Sequence, residues 1–270
     1  MRRNFVLLLS LNICLSFLLS CEKETIYPDY HKYRIKNIYS KSQSNESGFG
    51  SKEEYIYNHN STIDRINLYY NTGKIDFYRT FGYSNGKLST IKYFNVNSAG
   101  YTEIKGIDFL IYSKVGLLQE VLFMNKDGRE ELLLTFVYND DGRVSKKFYK
   151  NMSSDYFSEI EEFLYDQMGN IIQRDQYIYK YDSDELESSV TELYKYDTWV
   201  NPYFNRGFIG IYCSWPISPN NVVERIDRKT ELEDKTYIFY YEYLRDGYPI
   251  KTNSTLHSLD AYTEFEYENS

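Results

Sequence analysis

One short phrase recurs along the chain: an apolar or aromatic residue, a tyrosine, a polar turn that usually holds a glycine, and a second apolar run. It reads FGYSNGKL from Phe81, FVYNDDGRV from Phe136 and FLYDQMGNI from Phe163. The tyrosines of five successive copies lie 26 to 29 residues apart, at Tyr57, Tyr83, Tyr112, Tyr138 and Tyr165. A unit of about 27 residues accommodates two strands and two turns. The period therefore predicts one β-hairpin per unit and an antiparallel meander for the whole domain.

Composition supports an all-β fold for a single domain over residues 33–270. The chain has 31 tyrosines and 16 phenylalanines, which favour strands, whereas alanine, the best helix former, occurs only at Ala99 and Ala261. Residues 153–164 could form a helix, but they run into the copy that starts at Phe163, which favours a strand. At the C-terminus, the alternation of Phe265 and Tyr267 with glutamates predicts a strand with one apolar face.

The N-terminus has the pattern of a secretory signal. A basic start at Arg2 and Arg3 precedes an apolar run over residues 5–19, which is too short for a confident membrane span. The run ends in LLSC at residues 18–21, which resembles the bacterial lipobox. This resemblance implies that residues 1–20 are removed, that Cys21 is lipidated and that residues 21–32 form a tether. The alternatives are an ordinary secretory signal or an uncleaved anchor.

A lipidated Cys21 would place the domain in the cell envelope of a Gram-negative bacterium. We expect the protein to be anchored in the outer membrane, on its periplasmic or its surface face. Several acyl chains attach a protein stably to a membrane. Residues 1–20 hold two arginines and no acidic residue, so their removal takes the formal net charge from −8 to −10. An acidic surface disfavours nucleic acid as a partner. Cys213 is then the only other cysteine left, so no disulfide within the mature chain is expected, and its aromatic surroundings favour a small buried residue over a nucleophile.

The repeat is interrupted by one long segment, residues 197–221. It contains both tryptophans and three of the five prolines, and prolines interrupt a ladder of strands. Exposed aromatic rings can bind the apolar faces of sugars, so the segment supplies the candidate ligand-binding residues Trp199, Tyr203, Tyr212 and Trp215. Alternatively, these rings plug one end of the sheet and are buried there. The sequence favours the plug.

The same region carries a family resemblance. The successive motifs are YKYD at residues 194–197, NPY at 201–203, SPNNV at 218–222, YEY at 241–243 and DGYP at 246–249. In this order they resemble lipoproteins of gut Bacteroidetes in the domain-of-unknown-function family 4595. The resemblance implies a strongly curved, rolled antiparallel sheet, similar in local sequence to the tyrosine–aspartate (YD) repeats of Rhs-type shells. Together with the copies of the recurring phrase, it predicts a meander of about seven hairpin-like repeats. It implies no catalytic residues.

Motifs for catalysis or metal binding do not stand out. The three histidines lack the spacing of a zinc site, and no phosphate-binding or nucleophile motif occurs, so neither a metal nor a cofactor is expected. Asp140, Asp141, Asp166, Asp197 and Asp246 occupy the turn position of the repeat, where aspartate stabilises turns. The basic run containing Lys146, Lys147 and Lys150 is expected on a solvated face or a strand edge.

The sequence therefore predicts a non-enzymatic binding or scaffolding module that takes a glycan or an envelope protein. The alternative is a hydrolase of carbohydrates or peptides that uses acids such as Asp197 or Glu224 beside the long segment. A third possibility is a bilayer-spanning barrel, but units such as KKFYK, from Lys146, do not supply the outward aliphatic band that such strands need.

Overall fold

The chain folds into one closed sheet, seen in a computed structural model. The structure describes residues 32–42, 50–70, 73–154, 156–180, 185–204, 218–229, 232–255 and 261–269. The predicted signal peptide, Cys21 and nearly all of the tether lie outside these residues. Within them, no helix is long and apolar enough to cross a membrane.

The described residues form sixteen antiparallel strands, which follow one another in chain order. They are β1 (Tyr33–Ser42), β2 (Ser51–Tyr57), β3 (Ile63–Tyr70), β4 (Ile75–Ser84), β5 (Lys87–Val96), β6 (Thr102–Tyr112), β7 (Leu118–Asn125), β8 (Glu130–Tyr138), β9 (Val144–Asn151), β10 (Phe157–Tyr165), β11 (Ile171–Lys180), β12 (Glu185–Val200), β13 (Asn220–Arg228), β14 (Lys235–Tyr243), β15 (Pro249–Ser254) and β16 (Ala261–Asn269). Each pairs with its neighbours in sequence, and β1 pairs with β16, so the sheet closes into a barrel.

The all-β antiparallel meander is thus confirmed, and so is a strand, β10, over much of residues 153–164. The expected roll of about seven repeats is coarser than the structure. The described residues form eight hairpins, and the sheet closes into a barrel. The long ladder between β16 and β1, from Tyr33 opposite Asn269 to Ser42 opposite Ala261, completes the ring.

The polar turns of the repeat are built by their own side chains. In the turn from Asn139 to Arg143, the Asn139 amide donates to the Arg143 carbonyl at 2.9 Å, and the Asn139 side-chain oxygen accepts from the amides of Asp141 and Arg143. Gly142 has φ +74°, which favours glycine there. Asp166 holds its turn in the same way, by accepting from the Asn170 amide at 2.8 Å. The turn role is therefore confirmed for Asp166, whereas Asn139 provides the side-chain acceptor in the turn that contains Asp140 and Asp141.

The recurring tyrosine joins neighbouring strands at one end of the barrel. In seven of the described hairpins, a tyrosine near the end of an even-numbered strand donates its hydroxyl to a carbonyl near the start of the preceding strand, at 2.6 to 3.0 Å. The pairs are Tyr57–Ile35, Tyr83–Ile63, Tyr138–Leu118, Tyr165–Val144, Tyr196–Ile171, Tyr241–Val222 and Tyr267–Pro249. We call this end of the barrel the tyrosine end.

Apolar side chains fill the interior next to these tyrosines. One cluster joins residues of β1 to β8 and β16, and it includes Ile35, Ile91 and Val121, which are fully buried. A smaller cluster around Phe163 and Tyr194 joins β10 to β13. Side chains that line a water-filled channel are exposed to water, and these are not. The barrel has a packed core at this height.

A row of buried charges crosses the inner face of β9 to β13, and we call it the charge row. Its members alternate in sign: Lys147, Glu161, Arg174, Glu192, Arg225 and Asp227. Arg174 is central, with its guanidinium 3.0 Å from carboxylate oxygens of both Glu161 and Glu192. The expected solvated position is wrong for Lys147, which is 7% exposed, because β9 turns this residue inward onto Glu161.

The outer wall carries exposed ion pairs instead. Lys146 contacts Glu162 at 2.5 Å, Lys195 contacts Glu224 at 2.7 Å and Arg34 contacts Glu268 at 2.6 Å. Apolar side chains such as Ile111 and Leu164 stand between such pairs on part of this wall. The closed sheet leaves no free strand edge for the lysines of β9 to protect.

Candidate functional site: the aromatic crossing between β12 and β13

The segment that interrupts the repeat, residues 197–221, connects β12 to β13 at the tyrosine end, and we call it the crossing. β12 has 16 residues and runs past Tyr196, the tyrosine of its repeat, to Val200. The ladder with β13 is irregular on both sides of Tyr196 and resumes where Val200 faces Asn220. The regular ladder between β12 and β13 therefore ends at Tyr196, opposite Val222, and one further pair joins Val200 to Asn220.

Asp197 ties the outgoing strand to the returning one. It lies at the end of β12 and not in a turn, which corrects the position expected from the repeat. Its carboxylate accepts from the backbone amides of Trp199 and Asn221, both at 3.0 Å, and from the Asn221 side-chain amide at 3.1 Å. The Tyr243 hydroxyl also donates to it. Asp197 is thus occupied by hydrogen bonds on both oxygens.

A second set of buried polar groups closes the base of the crossing. Ser218 is fully buried; its hydroxyl accepts from the Ile171 amide and donates to the Tyr196 hydroxyl, each at 2.9 Å. Asn220, 4% exposed, donates its side-chain amide to the Trp199 carbonyl at 3.0 Å. Buried polar groups are costly unless they are hydrogen-bonded. These residues therefore fix the backbone where the crossing starts and ends.

Among the candidate ligand residues in the described part of the chain, Trp199 reaches the surface. Its side chain is 43% exposed, and its ring centre lies 5.8 Å from that of Tyr243. The indole also covers Gly247, in the turn between β14 and β15: a Cβ on Gly247 would approach the Trp199 Cζ3 atom to 2.8 Å. The exposed ring is held on the barrel by these two residues.

Tyr203 has a different environment. It packs against the main apolar cluster, and its ring meets that of Phe265 edge to face at a centre-to-centre distance of 5.9 Å. The structure therefore separates Tyr203 from Trp199. Tyr212, Trp215 and Cys213 lie outside the described residues, so the arrangement predicted for them stays a prediction.

The tyrosines beside the crossing are strongly perturbed. Burial, and then the hydrogen bond to Asp197, raise the pKa of Tyr243 well above its usual range. Burial likewise raises the pKa of Tyr196. Tyr243 occupies the repeat position, but its hydroxyl binds Asp197; Tyr241, on the same face of β14, takes the carbonyl of Val222 instead.

The acids proposed for hydrolysis have structural partners here. Asp197 is surrounded by donors, and Glu224 forms an ion pair with Lys195 on the outer wall. No group of three or more His, Cys, Asp or Glu residues in the described part of the chain could hold a metal ion.

Sequence reasoning missed Gly247, Tyr243 and Asn220 as parts of this site. A signal for them existed, because the motifs that carry the family resemblance, YKYD, SPNN, YEY and DGYP, meet at this corner of the barrel. Residues of different motifs contact one another in the folded barrel.

Comparison with known proteins gives a fold. No protein-family model matches the chain. No curated protein matches it. Among solved structures, a porin-like protein from Bacteroides uniformis is similar, with a TM-score of 0.55 and 10% identity over 87% of this chain and 98% of that one. A porin-like protein from Bacteroides vulgatus gives a TM-score of 0.43 and 11% identity, over 87% of this chain and 99% of that one. The first likeness shows a shared antiparallel barrel fold.

Proposed function

We propose that this chain is a lipid-anchored protein of the Gram-negative envelope that acts without catalysis, as a binding or scaffolding module for a glycan or an envelope protein. The packed interior is the observation that carries the proposal. Ile35, Ile91 and Val121 are fully buried at the tyrosine end, and the charge row occupies the inner face of β9 to β13. A barrel filled in this way offers its surface, and not its lumen, to a partner.

The outer wall supports a position beside a membrane over one across it. Ion pairs such as Lys146–Glu162 and Lys195–Glu224 stand on the face that would have to meet lipid tails. Charged residues on that face are costly near the middle of a bilayer. This favours a barrel held in water by its tether.

The tether and the crossing belong to the same end of the barrel. β1 begins at Tyr33, next to the hydroxyl bond between Tyr57 and Ile35, and the crossing follows an even-numbered strand, as the tyrosine turns do. Eleven residues lead from Cys21 to Lys32, so their full extension is about 40 Å. If Cys21 is lipidated, the start of β1 stays within that distance of the membrane and the crossing lies at the same end of the barrel, which favours an envelope component as the ligand.

The anchoring is tested by metabolic labelling with radioactive palmitate. We expect the wild-type chain to carry label and to partition into the membrane fraction, and Cys21→Ser to lose the label. Cys213→Ser is the matched control, because Cys213 is the other cysteine left after removal of residues 1–20. Label that persists in Cys21→Ser would contradict the anchor.

The binding role is tested on the full chain in detergent, incubated with envelope polysaccharide from a Bacteroides strain and with peptidoglycan. We expect the protein to co-sediment with one of these polymers without releasing soluble fragments. Released fragments that Asp197→Asn or Glu224→Gln abolishes would instead support the hydrolase.

A further inference from the structure

We propose that the exposed indole of Trp199 is a stacking platform for the apolar face of a neutral pyranose ring, and that Gly247 and Tyr243 position it. This inference rests on the proposed binding function and names the substrate class and the residues of the site. Of the two candidate aromatic residues that the structure describes, it selects Trp199, because Tyr203 packs against the apolar core.

The backbone of Trp199 is fixed from both sides. Its amide donates to Asp197 at 3.0 Å, and its carbonyl accepts from the side chain of Asn220 at 3.0 Å. Asn220 is itself buried, and its backbone amide donates to Asn170. A residue held in this way loses little conformational entropy when a ligand binds.

The ring of Trp199 is supported by a residue without a side chain. Gly247 is buried under the indole, and any Cβ at that position would displace the ring. The φ of +87° also requires a glycine, so this residue serves both the turn and the platform. Tyr243 supports the indole from β14 and is itself held by Asp197. Hydrogen bonds to its backbone and to Tyr243 thus position a residue whose side chain stays 43% exposed to water.

A pyranose fits such a ring by shape and charge. Its axial C–H bonds form a flat apolar face with a slightly positive charge, and the face of an indole is flat, apolar and slightly negative. Hydroxyl groups at the sugar's edge need polar neighbours, and Arg245 is exposed in the turn that contains Gly247. The acidic chain disfavours a polyanion, so we assign a neutral sugar.

The test measures binding of the full chain in detergent to maltoheptaose, chitohexaose and extracted neutral envelope polysaccharide by titration calorimetry. We expect at least one of these probes to bind, Trp199→Ala to weaken that binding tenfold or more, and Trp199→Phe to weaken it less. Tyr240→Ala is the matched control, because Tyr240 is 53% exposed on β14 away from the crossing, and it should bind as the wild type does.

Gly247→Ala gives an independent readout for positioning. Displacement of the ring should weaken binding about as much as Trp199→Ala does, and it should increase the quenching of tryptophan fluorescence by acrylamide while circular dichroism stays unchanged. If Trp199→Ala and the wild type bind a sugar equally, the platform is wrong and the proposed binding function stands. If the wild type binds none of the three probes, the sugar assignment is wrong, and retention on peptidoglycan then decides the proposed function separately.

Discussion

At the scale of single residues, the repeated tyrosine is explained by its hydroxyl. The ring packs into the interior, as phenylalanine could, but the hydroxyl also reaches a carbonyl of the preceding strand. A buried carbonyl without a partner costs free energy. The phrase therefore needs tyrosine and not merely an aromatic residue at this position.

Replacing Tyr165 by phenylalanine tests this role. The change removes the 2.6 Å bond to the Val144 carbonyl and keeps the ring. We expect the free energy of unfolding to fall by about 1 to 2 kcal/mol, because the loss combines a hydrogen bond with a buried acceptor left unpaired. Chemical denaturation followed by circular dichroism measures it. Tyr240→Phe, at an exposed position, should change stability by less than about 0.5 kcal/mol; equal losses would contradict the role.

At the scale of strands, the sequence predicts the hairpins well, because the residues that form each hairpin lie close together in the sequence. The turn from Asn139 to Arg143 contains both the side chain that accepts its hydrogen bonds and its glycine. The tyrosine in each copy of the phrase indicates the register of its strand. Closure is different. The pairing of Ile35 with Tyr267 joins strands at opposite ends of the chain, and a local repeat does not say whether its last copy meets its first.

The same limit applies to the inner face and to the site. Lys146 and Lys147 are adjacent residues of the same type. Only the contact of Lys147 with Glu161 on β10 shows that Lys147 is buried while Lys146 is not. The sequence singles out Trp199, but it cannot show that Gly247, 48 residues later, lies under its ring. Contacts between residues of distant strands depend on the topology of the barrel. The composition and the repeat period of the sequence do not reveal that topology.

The charge row gives a prediction at this scale. Arg174→Met keeps most of the side-chain volume but leaves Glu161 and Glu192 buried without the guanidinium between them. We expect a loss of about 3 kcal/mol, because each buried carboxylate then keeps only one cation, Lys147 or Arg225, at the longer distance of 3.6 Å. Lys180→Met is the control on the same pair of strands: its ion pair with Glu187 is about half exposed, and its removal should cost less than about 1 kcal/mol. Similar losses in urea denaturation would argue against a buried row.

At the scale of the whole molecule, the tyrosine end makes the barrel sensitive to alkali. Burial raises the pKa of Tyr165 to about 12, and burial also raises the pKa of Tyr138 and of Tyr83. A phenol in the unfolded chain has a pKa of about 10. Between these values the unfolded chain has lost protons that the folded barrel keeps, so the unfolded state gains stability as pH rises. The stabilisation is complete below pH 10 and is lost on the way to pH 12.

We therefore expect cooperative unfolding in alkali between about pH 10 and pH 12. A pH titration followed by tyrosinate absorbance and by circular dichroism should show buried tyrosines ionising together with the loss of sheet signal. The difference in the free energy of unfolding between Tyr165→Phe and the wild type should also become smaller over this pH range, because phenylalanine has no proton to lose. Complete tyrosine ionisation in a barrel that keeps its sheet signal would contradict the packed interior. It would mean that water reaches these hydroxyls in the folded state, as it would in an open channel.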